Sequence, residues 1–142
     1  DIYEEDRVPF EMDRATVISE GTDLAIIACG EMVRPAMQAA ELLKERGISA
    51  AVLDMYCLKP LDEKAVITAA EGVKAVITVE EHAPFGGLGA MVSQVLAKNC
   101  PRKMDILALP DAPVITGTSK EVFDYYGLNA EGIAKKAMEL LT

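Results

Sequence analysis

The feature that most constrains this chain is the alternation of short apolar runs with longer stretches of helical period. Leu24 to Cys29, Ser49 to Leu53 and Lys74 to Val79 are nearly continuous runs of Val, Ile, Leu and Ala. Runs of that kind suit strands covered by helices on both faces. Alternation of such strands with helices is the pattern of βαβ units around a parallel sheet. Asp105 to Leu109 reads as the fourth strand of the parallel set, and Ala15 to Ser19 as a short strand at an edge.

The helices are marked by their stripes and their ends. Val33, Ala36, Met37, Ala40 and Leu43 repeat at three- and four-residue spacing, which lays one apolar stripe along a helix. Pro35 falls in its first turn, where a missing N–H costs little, and Gly47 follows its last turn. Asp62 caps a helix over Glu63 to Ala70, which Gly72 stops. Leu88 to Lys98 forms the next helix. Thr118 and Glu121 have the capping-box spacing and open a short helix that Gly127 breaks. Asn129 then caps a terminal helix with the stripe Ile133, Ala137, Leu140 and Leu141. The result is one α/β domain over residues 15–142. Residues 1–14, acidic and without period, read as a linker from an absent upstream domain.

Charge excludes several functions. Acidic residues outnumber basic ones 23 to 14, for a net charge of −9. Phosphate backbones need clustered Lys and Arg, so nucleic acid is not expected as a partner, nor is an anionic membrane surface. Nothing approaches the roughly 18 apolar residues of a membrane span, and the polar N-terminus does not resemble a signal peptide. A cytoplasmic protein is expected. Cys29, Cys57 and Cys100 form no CxxC pair, which indicates neither a disulfide framework nor a zinc site. Cys29, at the end of an apolar run, reads as a buried small hydrophobe.

The candidate loop for chemistry runs from the third strand into the following helix. Glu80, Glu81 and His82 stand at the strand's carboxyl end, where ligands of open α/β sheets usually bind. His82 is the only histidine, and a neighbouring carboxylate could support acid–base work. Residues adjacent in sequence usually point apart, however, and a capping or interface role is the plainer reading. Gly86, Gly87 and Gly89 open the helix. The sixth position from Gly87 is Val92, so the G-x-G-x-x-G dinucleotide fingerprint fails. A Walker loop fails too, because no Gly-Lys-Ser/Thr follows. The helix start could hold a small anion or nucleotide phosphate, or the glycines could simply let helix and strand pack closely. Asp54, at the end of the second buried strand, reads as an exposed strand-end residue. Tyr125 and Tyr126 read as core cover or a subunit contact.

Several of these segments occur together in one family. Ser19-Glu20-Gly21-Thr22-Asp23-Leu24-Ala25-Ile26-Ile27-Ala28, Leu58-Lys59-Pro60-Leu61-Asp62, Thr78-Val79-Glu80-Glu81-His82 with Gly86-Gly87-Leu88-Gly89, Gly117-Thr118-Ser119 and Tyr126-Gly127-Leu128 stand in this order. The set resembles the C-terminal domain of transketolase-type, thiamine-diphosphate-dependent enzymes over nearly the whole chain. It is most similar to the smaller, C-terminal subunit of split transketolases. The 1-deoxyxylulose-5-phosphate synthases and the β subunit of 2-oxoacid dehydrogenase E1 share related segments.

That resemblance implies a three-layer α/β/α fold with a five-stranded, mostly parallel sheet and one antiparallel edge strand. It implies a structural and dimerisation domain, inactive alone, in an enzyme that transfers a two-carbon ketol unit between sugar phosphates. Thiamine diphosphate and Mg2+ are expected in the parent enzyme and not in this domain. Other domains hold them, and the Gly-Asp-Gly metal motif is absent from this sequence. No catalytic, cofactor-binding or metal-binding residue is therefore carried over to this chain. The expected partners are the thiamine-binding domains or subunit of the parent enzyme and a second copy in a homodimer.

Overall fold

The computed structural model describes residues 2–4 and 10–142, so the expected linker lies partly outside the described residues. The strands are β1 (Thr16–Ser19), β2 (Leu24–Ala28), β3 (Ala50–Asp54), β4 (Ala75–Val79) and β5 (Lys103–Leu107). The helices are α1 (Val33–Lys44), α2 (Glu63–Glu71), α3 (Leu88–Asn99), α4 (Ser119–Tyr126) and α5 (Ala130–Leu141). They build one five-stranded sheet in the order β1-β3-β2-β4-β5. β1 pairs antiparallel with β3 and every other pairing is parallel, as the resemblance implied.

The topology follows from the handedness of the crossovers. From β2 the chain moves through α1 to β3 on one side, then returns through α2 to β4 on the other. Right-handed connections running in opposite directions place their helices on opposite faces. The core accordingly divides by strand parity. Leu24, Ile26, Val52 and Ile77 meet α1 and α5 on one face, while Ala25, Ile27, Leu53 and Val76 meet α2 and α3 on the other. β2, β3 and β4 are buried along their whole length, which explains their uninterrupted apolar sequences.

Two details depart from the sequence reading. β5 spans Lys103–Leu107 and not 105–109, because its register with β4 begins at Ala75↔Lys103. Leu109 has left the ladder, and its N–H donates to the His82 carbonyl (3.0 Å). In α1 the fully inward residues are Val33, Ala36, Ala39 and Leu43, with Met37 and Ala40 at the margin. Alanines at positions 36 and 39 let α1 lie close to α5, which contributes Ala134 and Ala137 to the same cluster. Helix ends follow the sequence. The Asp62 side chain accepts from Ala65 N, and the Thr118–Glu121 capping box is formed in both directions.

Candidate functional site

The carboxyl ends of β2 and β4 lie side by side where the strand order reverses, the usual ligand crevice of an open α/β sheet. Glu80 extends β4 by one residue, its N–H donating to the Leu107 carbonyl at 3.0 Å. Strand alternation turns its side chain toward the face of Val76, where α3 begins. There its two carboxylate oxygens accept from the backbone N–H groups of Leu88 (2.8 Å) and Gly89 (2.7 Å). Glu80 is 0% exposed. A buried carboxylate is tolerable here because the helix dipole and two charge-assisted bonds receive it.

The glycines make this contact possible. A Cβ on Gly87 would collide with Glu80 Oε1, and one on Gly89 would meet Ile106 Cγ2 at 2.6 Å. Gly86 turns the chain with φ 78°. The loop therefore brings together Glu80, Gly87 and Gly89 around one buried carboxylate. Glu81 and His82 do not join them. Glu81 is half-buried and faces Gly30, where a Cβ would lie 3.7 Å from its Oε1, and His82 is exposed. The anion at this helix start is the protein's own, and it occupies N–H groups that an external phosphate would require.

Cys29 is buried at the same edge, and its thiol is pushed up to about 11, first by burial and then by Glu80, Glu81 and Asp54. It stays a neutral thiol near pH 7, in keeping with the hydrophobic role read from its position.

Asp54 differs from expectation. It is 6% exposed, and its Oδ2 accepts from the Tyr3 hydroxyl at 2.7 Å. Its Oδ1 is buried with no hydrogen-bond partner among the described residues. Burial raises its carboxyl above the ordinary range, partly offset by the Tyr3 bond. Burial, then the Asp54 contact, raises the Tyr3 phenol. Around this pair Phe10 stacks edge-on between Tyr3 and Tyr56, at 5.4 and 4.9 Å. The Tyr56 hydroxyl also donates to the Glu11 carbonyl. Strand parity was the available signal, since Asp54 shares the face of core residues Ala50 and Val52. Tyr3, remote in sequence and without period, carried none.

Tyr125 and Tyr126 separate in role. Tyr126 packs on the core and its hydroxyl accepts from Ile115 N, while Tyr125 is 69% exposed.

Comparison with known proteins agrees with this architecture. A 1-deoxy-D-xylulose-5-phosphate synthase of Synechococcus sp. is 39% identical over 136 residues, covering 95% of the chain and 21% of that protein. One of the subunits of an apulose-4-phosphate transketolase from Phocaeicola vulgatus is 48% identical over 141 residues, covering 99% of the chain and 45% of that protein. The solved structure of a split-gene transketolase, an inactive beta4 tetramer, superposes with a TM-score of 0.91 at 35% identity. That match covers 99% of this chain and 46% of the other. The chain thus spans less than half the length of the relatives it matches. Residues 13–133 match the family described as "Transketolase, C-terminal domain", and the chain belongs to that family.

Proposed function

We propose that this domain is a non-catalytic support in a thiamine-diphosphate enzyme that transfers a two-carbon ketol unit from a ketose phosphate to an aldose phosphate. The observation that carries the proposal is Glu80. The glycine-rich helix start, which could have gripped a diphosphate, is closed by the domain's own carboxylate. Among the described residues, no three His, Cys, Asp or Glu side chains group so as to hold a metal ion. These residues do not fit thiamine diphosphate and Mg2+, and other domains supply that site. The relatives' names support the ketol-transfer class, and the apulose-4-phosphate transketolase relative, being one subunit of its enzyme, supports a separate partner that carries cofactor-binding parts.

In this reading residues 1–14 link the domain to an upstream one, and the assembled cytoplasmic enzyme is a homodimer. The acidic balance of 23 to 14 disfavours nucleic acid. No helix among the described residues is long and apolar enough to cross a membrane. The test is calorimetry of the chain with thiamine diphosphate and Mg2+, paired with a ketol-transfer assay. Neither binding nor turnover is expected until thiamine-binding domains are added. Tight cofactor binding, or turnover by the chain alone, overturns the proposal.

A further inference from the structure

The N-terminal arm meets the carboxyl end of β3 and is fastened there by few contacts. Among the described residues, Ile2 packs against the core cluster that contains α1 and α5, and Tyr3 donates to Asp54. Phe10 stands edge-on to both Tyr3 and Tyr56. The Tyr56 hydroxyl accepts from Glu11 N at 3.2 Å and donates to the Glu11 carbonyl at 3.0 Å. Asp13 then turns the chain with φ 62°, a left-handed conformation that Asp adopts more readily than most residues. Ala15 N is tied to Asp62 just before β1 begins. Residues 10–14 are all exposed, and Ile2 and Tyr3 are only partly buried. A segment with so little buried apolar surface opens locally at far lower cost than the sheet beneath it.

The innermost polar fastening of this arm is an acid. Asp54 is 6% exposed, and an ionised carboxylate has two oxygens to satisfy. Oδ2 has the Tyr3 hydroxyl, whereas Oδ1 has no partner among the described residues. No Lys, Arg or His among those residues forms an ion pair with Asp54. The titratable groups around it bring no positive charge. They are Tyr3 on the arm with Glu4 next to it, Tyr56 after β3, Cys29 after β2, and Glu80 and Glu81 after β4, which act on Cys29 together with Asp54. An ionised Asp54 is therefore a buried charge without a counter-charge, an arrangement that proteins relieve by movement or by protonation. A neutral carboxyl still accepts the Tyr3 bond. The strand cannot yield, because Asp54 ends the wholly buried run of β3. The arm can.

We propose that the Tyr3–Asp54 contact is a proton-linked latch, which holds the arm while Asp54 is neutral and releases it when Asp54 ionises. Burial raises the Asp54 carboxyl above the ordinary range, which sets the sign. The hold is fully present below the free-carboxyl value of about 4 and is lost as pH rises through the value in the closed chain. Across that window the ratio of released to held arm rises by up to about tenfold per pH unit. Release hydrates Asp54 and undoes the stacking of Phe10 on Tyr3 and Tyr56.

The test follows the ring signals of isotopically labelled tyrosine in the full chain by NMR from about pH 4 to about pH 8, with saturation transfer to measure the released population. Tyr3→Phe and Tyr56→Phe assign the two signals. In wild type the released population should grow at least tenfold over that range, with Tyr3 and Tyr56 reporting it together and Tyr125 and Tyr126 unmoved. Asp54→Asn is neutral at every pH and still accepts from Tyr3, so its arm should stay held throughout. Tyr3→Phe lacks the donor and should show at least tenfold more released arm than wild type at the acidic end, reported by Tyr56. Unchanged circular dichroism confirms that the variants fold, and wild type with Tyr3→Phe decides the matter should Asp54→Asn fail to do so. A released population that is independent of pH in wild type, that rises as steeply in Asp54→Asn, or that Tyr3→Phe leaves unchanged overturns the latch.

Discussion

Glu80 and Gly87 form a pair whose energetics can be worked from the structure and measured as a cycle. Replacing Glu80 with Ala strands the N–H groups of Leu88 and Gly89, both on buried residues. Each orphaned buried donor costs about 1–3 kcal/mol. Some of this is offset because a desolvated carboxylate is removed as well, leaving a net loss of about 2–4 kcal/mol. Unfolding entropy of about 2.1 cal/mol/K per residue, over 142 residues, converts each kcal/mol into roughly 3 °C. Glu80→Ala should therefore melt about 7–13 °C below wild type. Glu80→Gln keeps one acceptor but sets an amide donor against an N–H, and should lose about half as much.

Gly87→Ala attacks the same contact from the other side. Gly87 has φ −94°, which alanine adopts without strain, so the backbone gives no reason for a large effect. The new Cβ would collide with Glu80 Oε1, and because Glu80 is fully buried the carboxylate can yield only by giving up its bonds. Gly87→Ala alone should cost about the same 2–4 kcal/mol. In the Glu80→Ala background the collision partner is gone, and the same substitution should be nearly neutral. The coupling should thus reach about 2 kcal/mol, well beyond the few tenths expected of independent sites. Thermal and urea unfolding followed by circular dichroism measure all four corners. Additive losses, or a Glu80→Ala variant melting within about 2 °C of wild type, would refute the reasoning.

Two further outcomes follow from the buried titratable groups. Asp54 holds its proton more tightly in the folded chain than in the unfolded one, because burial raises its carboxyl. Stability from that proton is fully present below the unfolded value of about 4 and is lost as pH rises through the folded value. Asp54→Asn, which still accepts from Tyr3, should gain on wild type as pH rises from about 4 toward neutrality. A gap in melting temperature that stays constant across that window would contradict the assignment. Cys29 and Cys100 are buried and Cys57 is partly exposed. A disulfide-exchange reagent at pH 7 should therefore titrate one thiol per native chain and all three after denaturation, and rapid reaction of Cys29 would show that its cover opens.

What the sequence made legible, and what it did not, divides along one physical line. Contacts that repeat with a period leave a trace in one dimension. The wholly buried strands announced themselves as unbroken runs, and Asp62, Thr118 and Asn129 announced their helices, because a cap acts within three residues of itself. The register of β5 was displaced by two residues because the apolar run extends to Leu109, whereas pairing with β4 starts at Lys103. Only the partner strand carries that information. The candidate loop stood out in the sequence because Glu80, Gly87 and Gly89 sit at a strand end and a helix start. Which of them meet was decided by strand parity, which turns Glu80 toward α3 and Glu81 away from it, while His82 lies past the end of β4 and is exposed. The same parity argument applied to Asp54 would have put it inward with Ala50 and Val52. Its partner would still have been missing, because Tyr3 reaches it across 51 positions of sequence with no repeating signal in between. A lone polar contact closed by a non-periodic arm is therefore the kind of feature in this fold that one dimension does not record.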